Sequence, residues 1–314
     1  MRKYVLKRIG IAIPVLIGIT IIDFLIMTMA GSPLEMLQGP RMSQSAIAAR
    51  EIQLGLDQPI IVQYGVWVRQ LFRGNLGFSI KSYQPVARMI STHIGPTLLL
   101  MGSSLVISLL IAVPAGIYSA VKQYTRRDYA IVTTSFVASS IPSFFLALVL
   151  IYIFTVKLRW LPSSGMRTLG AQESVIDVIR HMAMPVLVLV AASTGNILRY
   201  IRSAMLEILQ SDYLRTARAK GIGRRRTIYV HALRNALVPI LTIVGMQIPL
   251  LFSGSVIVEQ VFSWPGLGLM SMTAILNRDY PVIMGTALIT AVVVLLANLV
   301  TDILYAVVDP TIKY

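Results

Sequence analysis

The stretch PVIMGTALITAVVVLLANLVTDILYAVV, residues 281–308, decides the fold class, because it holds one charged side chain in a run long enough to cross a lipid bilayer. Further apolar runs lie at 9–30, 96–121, 130–156, 182–198 and 236–258. The chain of 314 residues is 56% hydrophobic and 13% charged, and its mean hydropathy is +0.74. The sequence therefore predicts an all-α, polytopic membrane protein with six transmembrane helices.

Basic residues give this chain a formal net charge of +15, and they lie between the apolar runs. A nucleic-acid-binding protein would carry them on an otherwise polar domain, so we expect no nucleic acid as a partner. Loops rich in Lys and Arg stay in the cytoplasm. Such residues are dense before the first run, at 122–127 and at 199–235. We expect both termini to be cytoplasmic, with Arg224 to Arg226 either contacting lipid head groups or a partner protein.

The runs divide the chain into three predicted parts. Residues 1–30 form a cytoplasmic N-terminus and a first transmembrane helix, whose length favours a retained span over a cleaved signal peptide. Residues 31–95 form an extracytoplasmic loop that we expect to be compact and partly helical, because an apolar patch at 60–68 needs cover. Residues 96–314 form a core with five transmembrane helices and a cytoplasmic segment at 199–235.

The cytoplasmic segment contains the pattern of a short capped helix. Ser211 or Asp212 can begin it, and Gly221 stands where a left-handed residue ends a helix. Leu214, Ala217 and Gly221 fall on one face. A helix of about two turns is not stable alone in water, so it must pack either on its own bundle or on a partner protein.

Chemistry-bearing motifs are missing from the sequence. There is no cysteine, no phosphate-binding Gly-x-x-x-x-Gly-Lys-Ser/Thr loop and no His-Glu-x-x-His zinc motif. No nucleophile and base are paired inside the runs. We therefore expect no enzyme active site, no metal site and no cofactor, and the chain has no nucleotide-binding motif of its own.

Several blocks of the sequence together resemble one family. DYLRTARAKG at 212–221 and HALRNALVP at 231–239 look like the cytoplasmic EAA loop of permeases in binding-protein-dependent ABC importers, in the form of the dipeptide, oligopeptide and nickel branch. GSVIVEQVFSWPGLG at 254–268 resembles a hallmark of that branch. So do LGLDQP at 54–59, GNLGFS at 74–79 and DPTIKY at 309–314, so the likeness covers almost the whole chain.

The chain also differs from the general EAA pattern. Arg215 stands at the Glu position, Thr216 at the first Ala position and Arg234 at the proline position. These departures leave no glutamate for a salt bridge at this loop. The long loop after the first run is similar to that of the B-type subunit, which pairs with a shorter-looped C-type relative.

The resemblance implies a type I importer permease that forms half of a translocation pathway. Its solute would be a di- or oligopeptide, or alternatively nickel or another small solute. ATP hydrolysis would fall to two separate cytoplasmic ATP-binding subunits. The other expected partners are a second permease subunit, an extracytoplasmic substrate-binding protein and membrane lipid, in the inner membrane of a prokaryote.

The family motifs also supply candidate site residues. The coupling residues toward the ATPase would be Asp212, Arg215, Thr216, Ala217, Arg218, Ala219, Gly221, His231 and Arg234. Candidates for the pathway or outer gate are Gln247, Ser253, Ser255, Glu259 and Trp264. Helix packing is the alternative for His231, and equally for Gln247, Ser253 and Ser255. An interfacial anchor is the alternative for Trp264. Glu259 is a candidate to meet a cationic group of a ligand or of the binding protein.

An ion-coupled secondary transporter is the competing function. That class needs ionisable or polar groups near the middle of discontinuous spans, and often an inverted repeat. Only Asp23 and Gln247 qualify, and the sequence shows no repeat. An acid inside a span is a candidate functional residue, so Asp23 stays open.

Overall fold

A computed structural model describes residues 2–29, 57–223 and 226–308 of the chain. These residues are helical apart from turns, loops and one isolated bridge between Phe78 and Pro85. The helices are α1 (Arg2–Met29), α2 (Ile60–Phe72), α3 (Val86–Val121), α4 (Arg126–Ser140), α5 (Ser143–Leu150), α6 (Val175–Leu209), α7 (Asp212–Ala219), α8 (Leu233–Ser253), α9 (Val256–Val261), α10 (Leu267–Leu276) and α11 (Tyr280–Val308). The predicted all-α class is confirmed.

Among the described residues, five helices are long and apolar enough to cross a membrane: α1, α3, α6, α8 and α11. The predicted span at 130–156 is not one straight helix, because α4 meets the segment Ser143–Lys157, which consists of α5 and a π-helical continuation over Ile151–Lys157, at an angle of 92°. Pro142 explains the break, since proline disfavours a helical conformation in the residue before it. Ile141 accordingly has an extended backbone, with φ −73° and ψ 125°. Within residues 2–29, 57–223 and 226–308 there are therefore five such helices, or six when Arg126–Ser140 and Ser143–Lys157 are counted as one broken span.

Several predicted spans have different bounds in the structure, and side-chain contacts or a glycine account for two of them. The run at 182–198 lies inside the much longer α6, which continues through Arg199 and Arg202. Polar residues do not end this helix, because Arg199 bonds to Asn196 one turn earlier and Arg202 bonds to a carboxylate of α4. The run at 236–258 is too long, since α8 ends before Gly254, whose φ of +70° breaks the helix.

The chain divides into two compact units, Met1–Gly95 with Met270–Leu296, and Pro96–Leu269 with Ala297–Tyr314. In the first unit, α1 packs on α2 through Phe24, whose ring contacts those of Tyr64 and Trp67. Thr20 Oγ1 and Tyr64 OH share a hydrogen bond of 2.8 Å. The predicted loop at 31–95 includes residues 31–56, which lie outside the described residues.

A second contact of the first unit involves the GNLGFS block. Ser79 Oγ and the Ile80 N–H both donate to the buried carboxylate of Asp279, which follows α10 in the chain. Charged groups are rarely buried without partners, and two donors satisfy this one. The block therefore fixes the chain ahead of α3 to the turn ahead of α11.

The second unit has a core of small and branched apolar residues. Ala112 and Ala120 from α3 pack there with Ile197, Ile201 and Met205 from α6. Residues from α7, α8 and the π-helical turn Thr227–Ala232 complete the same cluster. The short α7 is thus anchored to the core of this unit through Leu214.

Candidate coupling site

The helix α7 has the local geometry that the sequence predicts. The N–H groups of Leu214 and Arg215 donate to the Ser211 carbonyl at 3.2 and 3.4 Å, which begins the helix at Asp212. Gly221 has φ +80° at the C-terminal end, and the Ile222 N–H donates to the Ala217 carbonyl at 3.2 Å. This is a Schellman motif, in which a glycine adopts a left-handed conformation without a Cβ penalty. The predicted glycine cap is confirmed.

The face of α7 that sequence reasoning grouped together is divided between two environments. Leu214 is fully buried and belongs to the core cluster that contains Met205, Ala232 and Ala236. Ala217 is half-buried, and Gly221 is exposed with no atom within 4 Å of the position a Cβ would take. Leu214 therefore anchors α7 to its own bundle, and only the C-terminal part of this face remains open.

The remaining candidate coupling residues whose side chains are described are exposed. Asp212 and Arg215 form an exposed ion pair with 3.6 Å between Oδ1 and NH1. Thr216 Oγ1 donates back to the Asp212 carbonyl at 3.0 Å. Ala219 and Arg234 are also exposed. An exposed pair of this kind adds little stability, so these side chains are available to a partner.

Some predicted residues cannot be placed. The side chains of Arg218, His231 and Ser253 lie outside the described part of the chain, as do Arg224 and Arg225. Among the described residues, no group of three or more His, Asp or Glu side chains is arranged to hold a metal ion.

A buried ion pair near α7 is a feature that sequence reasoning missed. Arg202 of α6 donates through Nε and NH2 to the two carboxylate oxygens of Asp128, at 3.0 and 2.9 Å. Asp128 is 2% exposed, and Ser119 Oγ and the Tyr124 N–H also donate to it. The pair joins the turn between α3 and α4 to α6, within two turns of the end of α6 that leads into α7.

One sequence signal could have indicated this site. Thr125 and Asp128 have the spacing of a helix-capping box, and Thr125 Oγ1 does accept from the Asp128 N–H at 3.3 Å. The carboxylate itself points to Arg202, 74 residues further along the chain. A pairing over that separation has no local signature.

The branch hallmark at 254–268 folds around a buried carboxylate. Glu259 is 0% exposed and accepts hydrogen bonds from Thr97 Oγ1 and from the Leu269 N–H, both at 3.0 Å. Thr97 Oγ1 in turn accepts from the Leu267 N–H at 2.7 Å. Glu259 and Thr97 therefore satisfy two free N–H groups in the first turn of α10.

This geometry corrects two expectations. Glu259 does not lie at a surface where it could meet a cationic group of a ligand or of a binding protein. Trp264 is also 0% exposed, and its Nε1–H donates to the Pro96 carbonyl at 2.9 Å, so it is not an interfacial anchor. Ser255 caps α9, with its Oγ accepting from the Val258 N–H at 3.4 Å. Hydrogen bonds within the chain thus hold the side chains of Glu259, Trp264 and Ser255.

Glycines surround the Glu259 carboxylate because nothing larger fits. A Cβ on Gly254, Gly266 or Gly268 would lie 2.5 to 2.8 Å from atoms of Glu259. Burial raises the pKa of Glu259, and the hydrogen bonds from Leu269, Thr97 and neighbouring backbone groups oppose that rise. The glycine spacing of the hallmark is thus a packing requirement of one carboxylate.

Replacing Gly266 by alanine is expected to destabilise the chain by about 1–3 kcal/mol, the usual cost of overpacking a filled site. The new Cβ would lie 2.5 Å from Glu259 Cδ and from Thr97 Oγ1. Gly102→Ala is the matched control, because Gly102 lies in α3 with nothing within 4 Å. Thermal unfolding of the purified chain in detergent measures both variants. Equal melting temperatures for the two would contradict this account of the hallmark.

Gln247 lies in α8 and lines a groove of about 290 Å³ together with residues of α3 and α6. Its polar neighbours there are Ser104, Ser193 and Asn196. Gln247 is thus the pathway candidate that the structure places beside other polar side chains within apolar helices.

The long apolar helices and the anchored short helix between two of them define a multi-spanning membrane protein. Residues 112–314 match the family described as binding-protein-dependent transport system inner membrane component, and residues 1–101 match its N-terminal counterpart. The chain belongs to this family of inner-membrane transport components. It is the permease subunit of a binding-protein-dependent importer.

Full-length relatives carry more specific names. The chain is 43% identical over 316 residues to the oligopeptide transport system permease protein AppB of Bacillus subtilis, covering 100% of both chains. It is 39% identical to the dipeptide transport system permease protein DppB of Alkalihalophilus pseudofirmus, again over 100% of both. It is 38% identical to the glutathione transport system permease protein GsiC of Salmonella choleraesuis, with the same coverage.

Among solved structures, the chain is similar to an inward-facing form of the MetNI methionine ABC transporter. The TM-score is 0.56 at 18% identity, and the match covers 70% of this chain and 96% of that one. At this identity the likeness shows the fold, which is that of an importer permease.

Proposed function

We propose that this permease imports peptides of two to several residues. The observation that carries the proposal is its end-to-end likeness to relatives named for oligopeptide, dipeptide and glutathione transport. These solutes share main-chain amide groups. No residue cluster in the described part of the chain is arranged for a metal ion, so the described residues show no feature that favours a metal solute.

The proposed assembly contains a second permease subunit, two ATP-binding subunits and a substrate-binding protein. This chain would supply half of the pathway, with both termini and α7 on the cytoplasmic side. The basic residues at 122–127 and 199–235 support that orientation. The missing phosphate-binding loop supports separate ATPase subunits.

The proposed coupling element is α7, docked in a groove of one ATP-binding subunit. The surface of α7 that carries Arg215, Ala217 and Gly221 is open to a partner, whereas Leu214 anchors the helix to the core. Movement of the ATPase would displace α7, and its packing with Met205 of α6 would pass the displacement on as a rigid-body shift. The short linker Gln210–Ser211 leaves little slack between α6 and α7.

Reconstitution of the full assembly in liposomes tests this function. We expect uptake of a labelled tripeptide only with ATP inside, with the binding protein outside and with all subunits present. Collapse of ion gradients by ionophores should leave uptake unchanged, because the energy comes from ATP. Uptake that follows an imposed ion gradient without ATP would establish a secondary transporter instead. No ATP-dependent uptake of any peptide would overturn the peptide assignment.

A further inference from the structure

The groove beside Gln247 is formed by three helices that are each apolar enough to span a membrane. Ser104 comes from α3, Ser193 and Asn196 from α6, and Gln247 from α8. The other lining residues are aliphatic side chains or methionine, and none of the described lining residues is charged. The groove is thus a neutral surface with four polar side chains, set in otherwise apolar spans.

Hydrogen bonds within the chain use only part of this polar capacity. Ser104 Oγ donates to the Met101 carbonyl, and Ser193 Oγ donates to the Leu189 carbonyl, both at 2.8 Å. Asn196 Oδ1 accepts from Arg199 NH2 at 2.5 Å, and the Asn196 NH2 group donates to no residue that the structure describes. The Gln247 amide makes no hydrogen bond to any residue that the structure describes. Two amide groups therefore offer donors, and Gln247 also offers an acceptor.

Free amide groups are costly in a hydrocarbon environment, because no water is present to pair with them. A groove with this lining is therefore unsuited to face lipid. The remaining occupants are a solute in a water-filled pathway or a side chain of the paired permease. A peptide main chain fits the first role, since its N–H and C=O groups match the donors and acceptor of amide side chains.

We propose that this groove is a contact surface for the peptide main chain along the translocation pathway, with Gln247 and Asn196 as the hydrogen-bonding residues. This inference rests on the proposed function. A volume of about 290 Å³ is at the small end of ligand sites, so one wall of this kind holds one or two peptide residues. Because the lining is uncharged, the surface binds the shared main chain and does not select among charged side chains.

Single cysteines provide a direct test, since the native chain has none. Gln247→Cys and Asn196→Cys are made in an assembly whose other subunits are cysteine-free, and treated with a positively charged, membrane-impermeant methanethiosulfonate. We expect the reagent to modify both cysteines and the modification to abolish peptide uptake. We also expect a saturating concentration of tripeptide during turnover to slow the modification. Leu110→Cys is the control, because Leu110 lies on α3 as an exposed apolar residue outside the groove.

Charge selectivity supplies a second measurement that does not depend on absolute activity. In Gln247→Glu, we expect the ratio of maximal uptake rates for a lysine-rich over a glutamate-rich tripeptide to rise about threefold or more, because a carboxylate then faces the solute. Gln247→Leu should slow both peptides by a similar factor, since it removes hydrogen bonds that every peptide makes. Each rate is measured at a saturating concentration of the peptide-bound binding protein, so that the affinity of the binding protein for each peptide does not enter the ratio.

The outcomes separate this inference from the proposed function. If the native assembly imports peptides but Gln247→Cys and Asn196→Cys resist the reagent and Gln247→Glu keeps the native ratio, the groove is not a solute surface. If Gln247→Cys instead crosslinks to the paired permease while uptake continues, that subunit fills the groove and the inference is wrong. Absence of peptide uptake by the native assembly would overturn the function itself.

Discussion

Replacing Asp128 by alanine is expected to lower the free energy of unfolding by about 3 kcal/mol. Removal of one partner of a buried ion pair typically costs about 3–5 kcal/mol, because the other charge is left without compensation. The lower value of this range applies here, since the Arg202 side chain is still 24% exposed and water can solvate it in part. The same change leaves Ser119 Oγ and the Tyr124 N–H without their acceptor.

An exposed ion pair of the same chain is the matched control. Arg167 and Glu173 are paired with side chains 48% and 84% exposed, so Glu173→Ala should cost less than about 1 kcal/mol. Thermal unfolding in detergent compares the two single variants. Asp128→Leu combined with Arg202→Leu should recover much of the loss, because a buried pair can be replaced by apolar groups. Equal effects of Asp128→Ala and Glu173→Ala would show that the pair contributes no more than an exposed one.

The ion pair would also lie on the proposed coupling path. It fixes α6 to the turn between α3 and α4, and the core cluster fixes α7 to α6 and α8. In the proposed mechanism, a displacement of α7 would therefore pass to several helices as one body and would not be absorbed in the turn that precedes α4. Asp128→Ala should weaken transport as well as stability.

Much of the fold could be predicted from apolar run length, because a helix is the local structure that satisfies every backbone group in lipid. The bounds were less predictable. The helix α6 extends beyond its apolar run since Asn196, Arg199 and Arg202 find partners on α6 itself or on α4. Hydropathy measures the cost of a polar residue and has no term for a partner elsewhere in the chain.

Capping is local, so the sequence predicted α7 and its Gly221 cap correctly. The position of Glu259 was not predictable in the same way. Its acceptors are filled by Thr97, 162 residues away, and by the N–H of Leu269. The glycines at 254, 266 and 268 were visible in the sequence, but only the fold shows that their missing side chains make room for that carboxylate.

The largest loss of transport is expected from Leu214→Asp. This change places an unpaired carboxylate at a site that is 0% exposed and lined by Met205, Ala232 and Ala236. Removing a buried leucine already costs about 2–5 kcal/mol, and a charge adds a desolvation penalty. The bundle avoids that cost by releasing α7, which is too short to stay helical without its packing. The spans should still insert, because the change lies outside every long apolar helix.

Peptide uptake by the reconstituted assembly should then fall at least about tenfold, since about 1.4 kcal/mol is a factor of ten and the released state is favoured by more than this. Tyr213→Asp is the control, because Tyr213 is the neighbouring residue of α7 and is exposed. A cysteine at Ala217 reports the contact itself, since it should crosslink to a cysteine in the ATPase groove in the native background and lose that crosslink in Leu214→Asp. Native uptake with an intact crosslink in Leu214→Asp would refute the anchor, because α7 would then reach the ATPase without Leu214.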